Sequence, residues 1–376
     1  MALRFAASVA VVAACGGRSQ LEIPTSANAA ADAATAADAN GVAPPDASAE
    51  APPPPPTCAG GVVVDSAQNP WFLALDATDL YFIDEGEPSA TAGSSLRRCP
   101  KATGCAGKPT ELLVGGRRFP AGLALDDANV YWTEISTSSA YACAKASCNP
   151  VSLFTDPNDA PITVLADGAL LDMLSYHALE TCPTTGCAAP QKLTPLTYGA
   201  LVVAADAEWI YFTVASPQGA PRGSVMACAK PACAGGPKVI ATSLPAAPWG
   251  LAVDDTDVYI SIGGAAADPD GAGAILRCPK TGCAGAPETL VAGRNHPVYL
   301  VADTQRVYWI EDGTAGPLDG AVAACAKAGC GGVARTIADH QYLPSAIAVD
   351  AGCVYWSTSA NGNVDGTIQR APTAGP

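Results

Sequence analysis

The sequence predicts an all-β fold, a seven-bladed β-propeller of four-stranded blades. Three observations lead there. An Asp is followed five residues later by Tyr at Asp76/Tyr81, Asp126/Tyr131, Asp206/Tyr211, Asp254/Tyr259, Asp303/Tyr308 and Asp350/Tyr355, with a shortened copy at Asp172/Tyr176. The seven Tyr positions are spaced by 50, 45, 35, 48, 49 and 47 residues, a period that suits one propeller blade. Between them, apolar residues arrive in runs of four or five separated by Gly, Pro and Asp, as short buried strands do, and no segment sustains a helical period.

Each blade can be placed strand by strand. Blade five reads as Gly250 to Asp254, Val258 to Ile262, Gly273 to Cys278 and Pro287 to Val291. Blade one gives Phe72 to Asp76, Leu80 to Ile83, Ser95 to Cys99 and Thr110 to Val114, and blade six repeats the order from Tyr299 to Ile337. Triplets such as Val307-Tyr-Trp309 have no polar face, which suits a blade buried on both sides by its neighbours. In blade three the second and third strands nearly merge, Leu174 to Cys182, and if that copy forms no blade the ring has six.

The two chain ends complete each other. The last copy supplies three strands, Ala346 to Asp350, Val354 to Ser357 and Gly366 to Arg370, and then the chain stops. Cys58-Ala-Gly-Gly-Val-Val-Val64 matches the segment leading into the fourth strand of blade four, Cys233-Ala-Gly-Gly-Pro-Lys-Val-Ile240. An N-terminal strand is therefore expected in the C-terminal blade, where it removes the open edges of an unclosed ring.

Residues 1–14 carry one Arg, an apolar run from Phe5 to Val12 and small residues before Cys15, the layout of a secretory signal. The run is too short to cross a bilayer. Val12-Ala-Ala-Cys15 resembles a bacterial lipobox, and that resemblance implies cleavage before Cys15 and acylation of its thiol and new amino terminus. Residues 15–57 are the lipidated Cys and a tether rich in Ala, Asp, Pro and Ser, with too little bulky apolar surface to fold. Such a chain reaches roughly 35 Å. The propeller spans 58–376, and the expected location is the cell envelope, reached by export and held through a membrane anchor.

Of the 15 Cys, six close pairs stand between third and fourth strands: Cys99/Cys105, Cys143/Cys148, Cys182/Cys187, Cys228/Cys233, Cys278/Cys283 and Cys325/Cys330. In an exported chain disulfides are the default reading. Structural zinc needs four ligands, and each pair offers two with no His beside it. Cys58 and Cys353 remain, apart from Cys15. Aligning Gly366-Thr-Ile-Gln-Arg-Ala371 on Gly273-Ala-Ile-Leu-Arg-Cys278 puts Ala371 where a Cys belongs. The end of that strand lies beside the start of its antiparallel neighbour, where Cys353 stands, so a Cys58–Cys353 bridge closing the ring is expected.

Twenty basic residues against 35 acidic ones give a formal charge of −15, which removes the basic footprint that nucleic acid requires. Acidic loops also keep a monomer soluble.

Leu-Ala-Val-Asp-Asp-Thr-Asp-Val-Tyr-Ile260 and Val130-Tyr-Trp-Thr133 resemble the repeats of YWTD and TolB-like propellers, and the Cys-paired form is similar to a group of bacterial propeller lipoproteins. The resemblance covers 58–376 and is specific for architecture, since such rings carry binding, scaffolding and hydrolytic roles. It implies that ligands meet the face where innermost strands are entered. Asn69, Trp71, Arg117, Arg118, Tyr198, Trp249, Asn295, His296, His340, Gln341 and Tyr342 occupy those entries, a set of aromatic, basic and amide groups suited to a protein or glycan ligand. The bland alternative is ordinary loop chemistry.

Catalysis has less to stand on. No Gly-x-Ser-x-Gly elbow occurs and the chain has three His. His296 and His340 read as equivalent entries of adjacent blades, so a His pair near the axis, with calcium held by Asp268, Asp270 or Glu311, is the alternative to a non-catalytic binding or scaffold module. No cofactor is expected.

Overall fold

The computed structural model describes residues 58–374 apart from 86–92, 106–108, 118–119, 197–199, 201, 216–222, 264–271, 314–317 and 360–365. Cys15, Arg118, Tyr198, Asp268 and Asp270 lie outside the described residues, as do the signal and tether. The described chain forms seven four-stranded antiparallel sheets and contains no helix. Six sheets take four consecutive strands each. The seventh joins Pro344–Val349, Cys353–Thr358 and Gly366–Pro372 to the N-terminal strand Gly61–Ala67.

That seventh sheet is the closure expected from the sequence. Gly61 pairs with Arg370 and Ala67 with Gly366 across the seam. Cys58 is bonded to Cys353 over a separation of 295 residues, with 5.5 Å between their Cα atoms. The six local pairs are also disulfides. Cys99 is bonded to Cys105 six residues on, and Cys143–Cys148, Cys182–Cys187, Cys228–Cys233, Cys278–Cys283 and Cys325–Cys330 each span five. Seven bridges in one chain belong to an oxidising compartment, so the protein is an exported or extracellular one.

The placement of these pairs corrects one expectation, that both members stand between the third and fourth strands. The first Cys is in every case the next-to-last residue of the third strand. Cys148 lies inside the fourth strand of blade two, Ser147–Thr155, while Cys105, Cys187, Cys233, Cys283 and Cys330 do occupy the connecting loops. Burial gives the reason. The strand Cys fills an apolar position between blades and is at most 3% exposed, whereas Cys105, Cys148, Cys187, Cys283 and Cys330 are half-buried and reach in from the rim.

Blade three is complete, so the ring has the expected seven blades and not the six of the alternative, and its second and third strands are joined by the short turn expected of them. Its strands are Pro161–Asp167, Leu170–Ser175, Ala178–Pro183 and Gln191–Pro195. Leu165 pairs with Asp172 as Ala74 pairs with Tyr81, so the true repeat pair is Asp167/Asp172 and not Asp172/Tyr176. The strand exists because its apolar residues still alternate into both faces. Only the aromatic that marks it elsewhere has been replaced.

Innermost strands begin earlier than their apolar runs suggest. In six blades the first residue is Pro, at Pro70, Pro120, Pro161, Pro248, Pro297 and Pro344, and a register irregularity follows it. Pro lacks an N–H and is tolerated at a strand start or bulge. Its ring packs on the next contact in the circle, a Gly that opens the third strand of the preceding blade. A Cβ at Gly223, Gly273, Gly320 or Gly366 would collide with Pro248, Pro297, Pro344 or Pro70 respectively. Trp71 and Trp249, expected on loops, are consequently strand residues.

The core is a ring of clusters lying between successive blades. One joins Ala252, Tyr259 and Ile275 of blade five to Leu300, Val307 and Trp309 of blade six; another joins Val64 and Ile368 at the seam to Leu73 and Phe82 of blade one. Tyr308 and Trp309 are fully buried, which accounts for triplets without a polar face.

Candidate ligand face

Entry loops and the ends of second strands share one face of the ring, while the turns after innermost strands and the Cys-paired loops share the other. The strand order fixes this division, because each sheet is a simple antiparallel meander.

On the entry face the residues named from sequence separate into three kinds. Asn69 and Gln68 donate their backbone N–H groups to Asp84 at 2.9 to 3.1 Å, and Arg97 Nη1 donates to the same buried carboxylate at 2.8 Å. Gln341 accepts from Trp356 Nε1 at 2.8 Å and from Gln369 at 3.2 Å. These groups cap the fold. Arg117 ends the outer strand of blade one opposite Ser94, Tyr342 is half-buried and its carbonyl accepts from the Ser359 N–H, and Trp71 packs against the cluster between blades one and two.

Trp249, Asn295 and His296 do come together. The Trp249 and His296 rings lie 5.8 Å apart and tilted by 56°. His296 Nδ1 meets Asp312 Oδ1 at 2.5 Å, and Gly263 packs so closely on the ring that a Cβ there would stand 2.7 Å from Cδ2. His296 holds a φ of +48°, an uncommon backbone state for a non-Gly residue, so local structure fixes its direction. Beneath it, Glu311 accepts from Arg294 Nε at 2.6 Å, Trp309 Nε1 at 2.8 Å and the Asn295 N–H at 3.3 Å. Sequence reasoning missed Arg294 and Asp312 as the frame of this patch, and it named Glu311 only as a calcium ligand, whereas that carboxylate is taken up by Arg294, Trp309 and Asn295.

His340 does not join them. It lies within the outermost strand of blade six, 84% exposed, with Nε2 4.0 Å from Asp339. The residue before Pro344, equivalent to His296 before Pro297, is Leu343. Counting from the two Pro residues shows that His340 stands three positions earlier, so the expected equivalence of the two imidazoles fails.

One further group on this face was not foreseen. Glu85 follows the second strand of blade one as Asp312 follows that of blade six. Burial, with Asp84 adjacent, pushes its carboxyl up to about 7.

On the opposite face the repeated Asp forms a structural ring. At Asp76, Asp126, Asp206, Asp254, Asp303 and Asp350, one carboxylate oxygen accepts the backbone N–H groups two and three residues on, at 2.6 to 3.0 Å. The repeat Tyr donates its hydroxyl to the other oxygen at 2.5 to 3.4 Å in five blades. A Lys from the following blade completes the site: Lys101 to Asp350, Lys145 to Asp76, Lys280 to Asp206 and Lys327 to Asp254 at 2.6 to 2.9 Å, and Lys230 to Asp167. Each Lys stands two residues after the first Cys of its pair, a signal present in the sequence but unread. The Asp–Tyr repeat is therefore a stitch between blades and not a ligand site.

No family model matches the chain, and no curated protein matches it. Solved structures do. A virginiamycin B lyase from Staphylococcus aureus is 12% identical, with 83% of this chain and 98% of that chain covered and a TM-score of 0.59. The catalytically inactive form of that enzyme with quinupristin gives 0.60 at 10% identity, covering 83% and 98%. A chain of the nidogen/laminin complex gives 0.50 at 16% identity, covering 68% and 94%. The chain is similar to these in fold. Identities this low carry architecture and no activity.

Proposed function

We propose that this chain is an exported, lipid-anchored β-propeller of the cell envelope, whose entry face binds a protein or glycan ligand without turning it over. The observation that supports it is the patch of Trp249, His296 and Asp312. An aromatic ring beside an imidazole and a carboxylate, all held by neighbouring strands, offers stacking and hydrogen bonding to a polar ligand. The His296 ring is 19% exposed and its Nε2 abuts Gly263, an arrangement better suited to holding a partner than to taking a proton from substrate.

Titration calorimetry of the mature chain against envelope glycan fragments and peptides tests the patch. Trp249→Ala and His296→Ala should each weaken binding about tenfold, as removal of an anchoring side chain does. Turnover of the ligand, abolished by His296→Ala, would instead favour the metal-assisted hydrolase reading. Unchanged affinity in both variants would remove the patch from the binding surface.

The anchor rests on Val12-Ala-Ala-Cys15. Metabolic labelling with a fatty-acid analogue should mark the wild type and miss Cys15→Ala. Equal labelling of the two would end the lipoprotein reading.

A further inference from the structure

Blade three departs from its six companions in a connected way. It has Asp172 for the stitch Tyr, it shares with blade seven a Thr in place of the stitch Lys (Thr184, as Thr373 there), and only Tyr176 and His177 join its second and third strands. At the entry-face end it gains buried acid. Glu180 is fully buried and Asp159 is 3% exposed. Ser175 Oγ donates to Glu180 Oε2 at 2.7 Å. The His177 N–H donates to Asp159 Oδ1 at 3.0 Å, with His177 Nδ1 at 3.2 Å from the same oxygen. The remaining oxygens, Glu180 Oε1 and Asp159 Oδ2, are buried with no hydrogen-bond partner. A buried carboxylate oxygen without a donor is costly, so a native fold that keeps two of them about one cation calls for an explanation.

Both oxygens face one point. Lys192 Nζ stands 3.7 Å from Glu180 Oε1 and 3.9 Å from Asp159 Oδ2, and Asp156 Oδ2 is also 3.9 Å away. These are ion-pair separations beyond hydrogen-bond reach. Lys192 is itself 57% exposed, so it hovers at the mouth of the notch. Formally, three carboxylates face one ammonium.

Blade one shows what a closed version looks like. Arg97 occupies the register position of Glu180, opposite Glu111, as Glu180 is opposite Lys192. There the cation is the inner group, and its carboxylates close on it at 2.8 and 3.2 Å. Blade three inverts the polarity and leaves the contact open. Three oxygens nearly 4 Å from a common centre also form a wider seat than the 2.3 to 2.6 Å shell of calcium, and suit a larger cation that brings its own N–H donors.

We propose that this notch binds an alkylammonium or guanidinium group, which displaces the Lys192 ammonium and donates hydrogen bonds to Glu180 Oε1 and Asp159 Oδ2. Tyr176, 44% exposed at the adjoining turn, offers an aromatic flank to the carbon chain behind that cation. The cation belongs either to a free amine or to a basic side chain of a protein. The site is separate from the Trp249 patch in blades five and six, so either can fail without the other.

Calorimetry on the whole chain at fixed ionic strength, with butylammonium, tri-arginine and tetramethylammonium as probes, decides the matter. The first two should bind and tetramethylammonium, which has no N–H, should not. Stronger binding of tri-arginine assigns the natural source to a protein, and stronger binding of butylammonium to a free amine. Lys192→Ala removes the resident competitor and should tighten binding about tenfold, while Glu180→Gln should weaken it at least about tenfold. Thermal melting establishes that each variant is folded, and Asp159→Asn replaces Glu180→Gln if the latter is not. Equal binding of tetramethylammonium, unchanged affinity in both acid variants, or weaker binding by Lys192→Ala would overturn the proposal. The controls matter because a chain of charge −15 attracts any cation weakly.

Discussion

Replacing both Cys58 and Cys353 by Ala should cost about 5 kcal/mol of unfolding free energy, against about 2 kcal/mol for removing both Cys278 and Cys283, on the chain-entropy account of cross-links. The contrast follows from loop size. The first bridge spans 295 residues and the second five. It also follows from position. The Cys58 bridge holds the strand Gly61–Ala67 in the last blade, and that strand supplies Val63, Val64 and Ala67 to the cluster between blades seven and one. Without the bridge the seam is kept by antiparallel pairing, apolar contact and polar bonds such as Lys101 to Asp350 and Arg370 to the Ala59 carbonyl, and the chain can open there. Urea unfolding under non-reducing conditions reads the effect. Equal losses for the two double variants would show that the seam bridge is one more local staple.

Much of this fold is legible in the sequence because its information is local and repeated. Asp and Tyr five residues apart are both ends of one hairpin, and the Cys pairs close single loops. What escapes has the opposite character. Lys101 and Asp350 are 249 residues apart, so the stitch can be seen only when the ring is closed. The Gly–Pro packing of Gly366 against Pro70 is hidden in the same way. Blade three escapes because an aromatic marks the repeat elsewhere, and its strand Leu170–Ser175 keeps every packing position except that one. Cys148 differs from the other second cysteines because the outer strand of its blade starts early, at Ser147, with no spacing change in the pair to announce it. His340 stands four residues before Pro344 where His296 stands one before Pro297, and since the outer strands of blades five and six end at equivalent residues, Arg294 and Gln341, His340 falls inside its strand. The acid notch has no signal at all: Glu180 and Lys192 face each other through register, not spacing.

Asp254→Ala should be the most damaging single change on the stitched face, at about 3 kcal/mol, because it strands several donors at once. The carboxylate accepts from Thr256 N–H at 2.9 Å, Asp257 N–H at 2.8 Å and Tyr259 hydroxyl at 2.8 Å, and pairs with Lys327 of the next blade at 2.8 Å. Lys327 also lies over the Tyr259 ring at 5.4 Å. Burial alone would raise this carboxyl, but Lys327, the two backbone N–H groups and Tyr259 outweigh it and hold it well below the usual range. The same balance puts Asp76 at about 2 and lowers Asp126, Asp206 and Asp350. A carboxyl depressed by folding contributes stability that is present above its unfolded value near 4 and is lost as pH falls toward its folded one. The ring should therefore fail cooperatively below about pH 4. Three groups act in the other direction, Glu180 among them because burial raises its carboxyl as well. Burial raises Asp172 to about 6 despite Lys230 and Thr181, and raises Glu85 to about 7, so stability falls as pH rises from their unfolded values near 4 through those folded ones. Thermal midpoints should consequently peak near pH 4 to 5 and fall on both sides. Asp254→Ala should flatten the acid side, and Asp172→Asn should flatten the decline between about pH 4 and 6. A midpoint that climbs steadily to pH 8 in the wild type, or an acid side unchanged by Asp254→Ala, would refute this account of the ring.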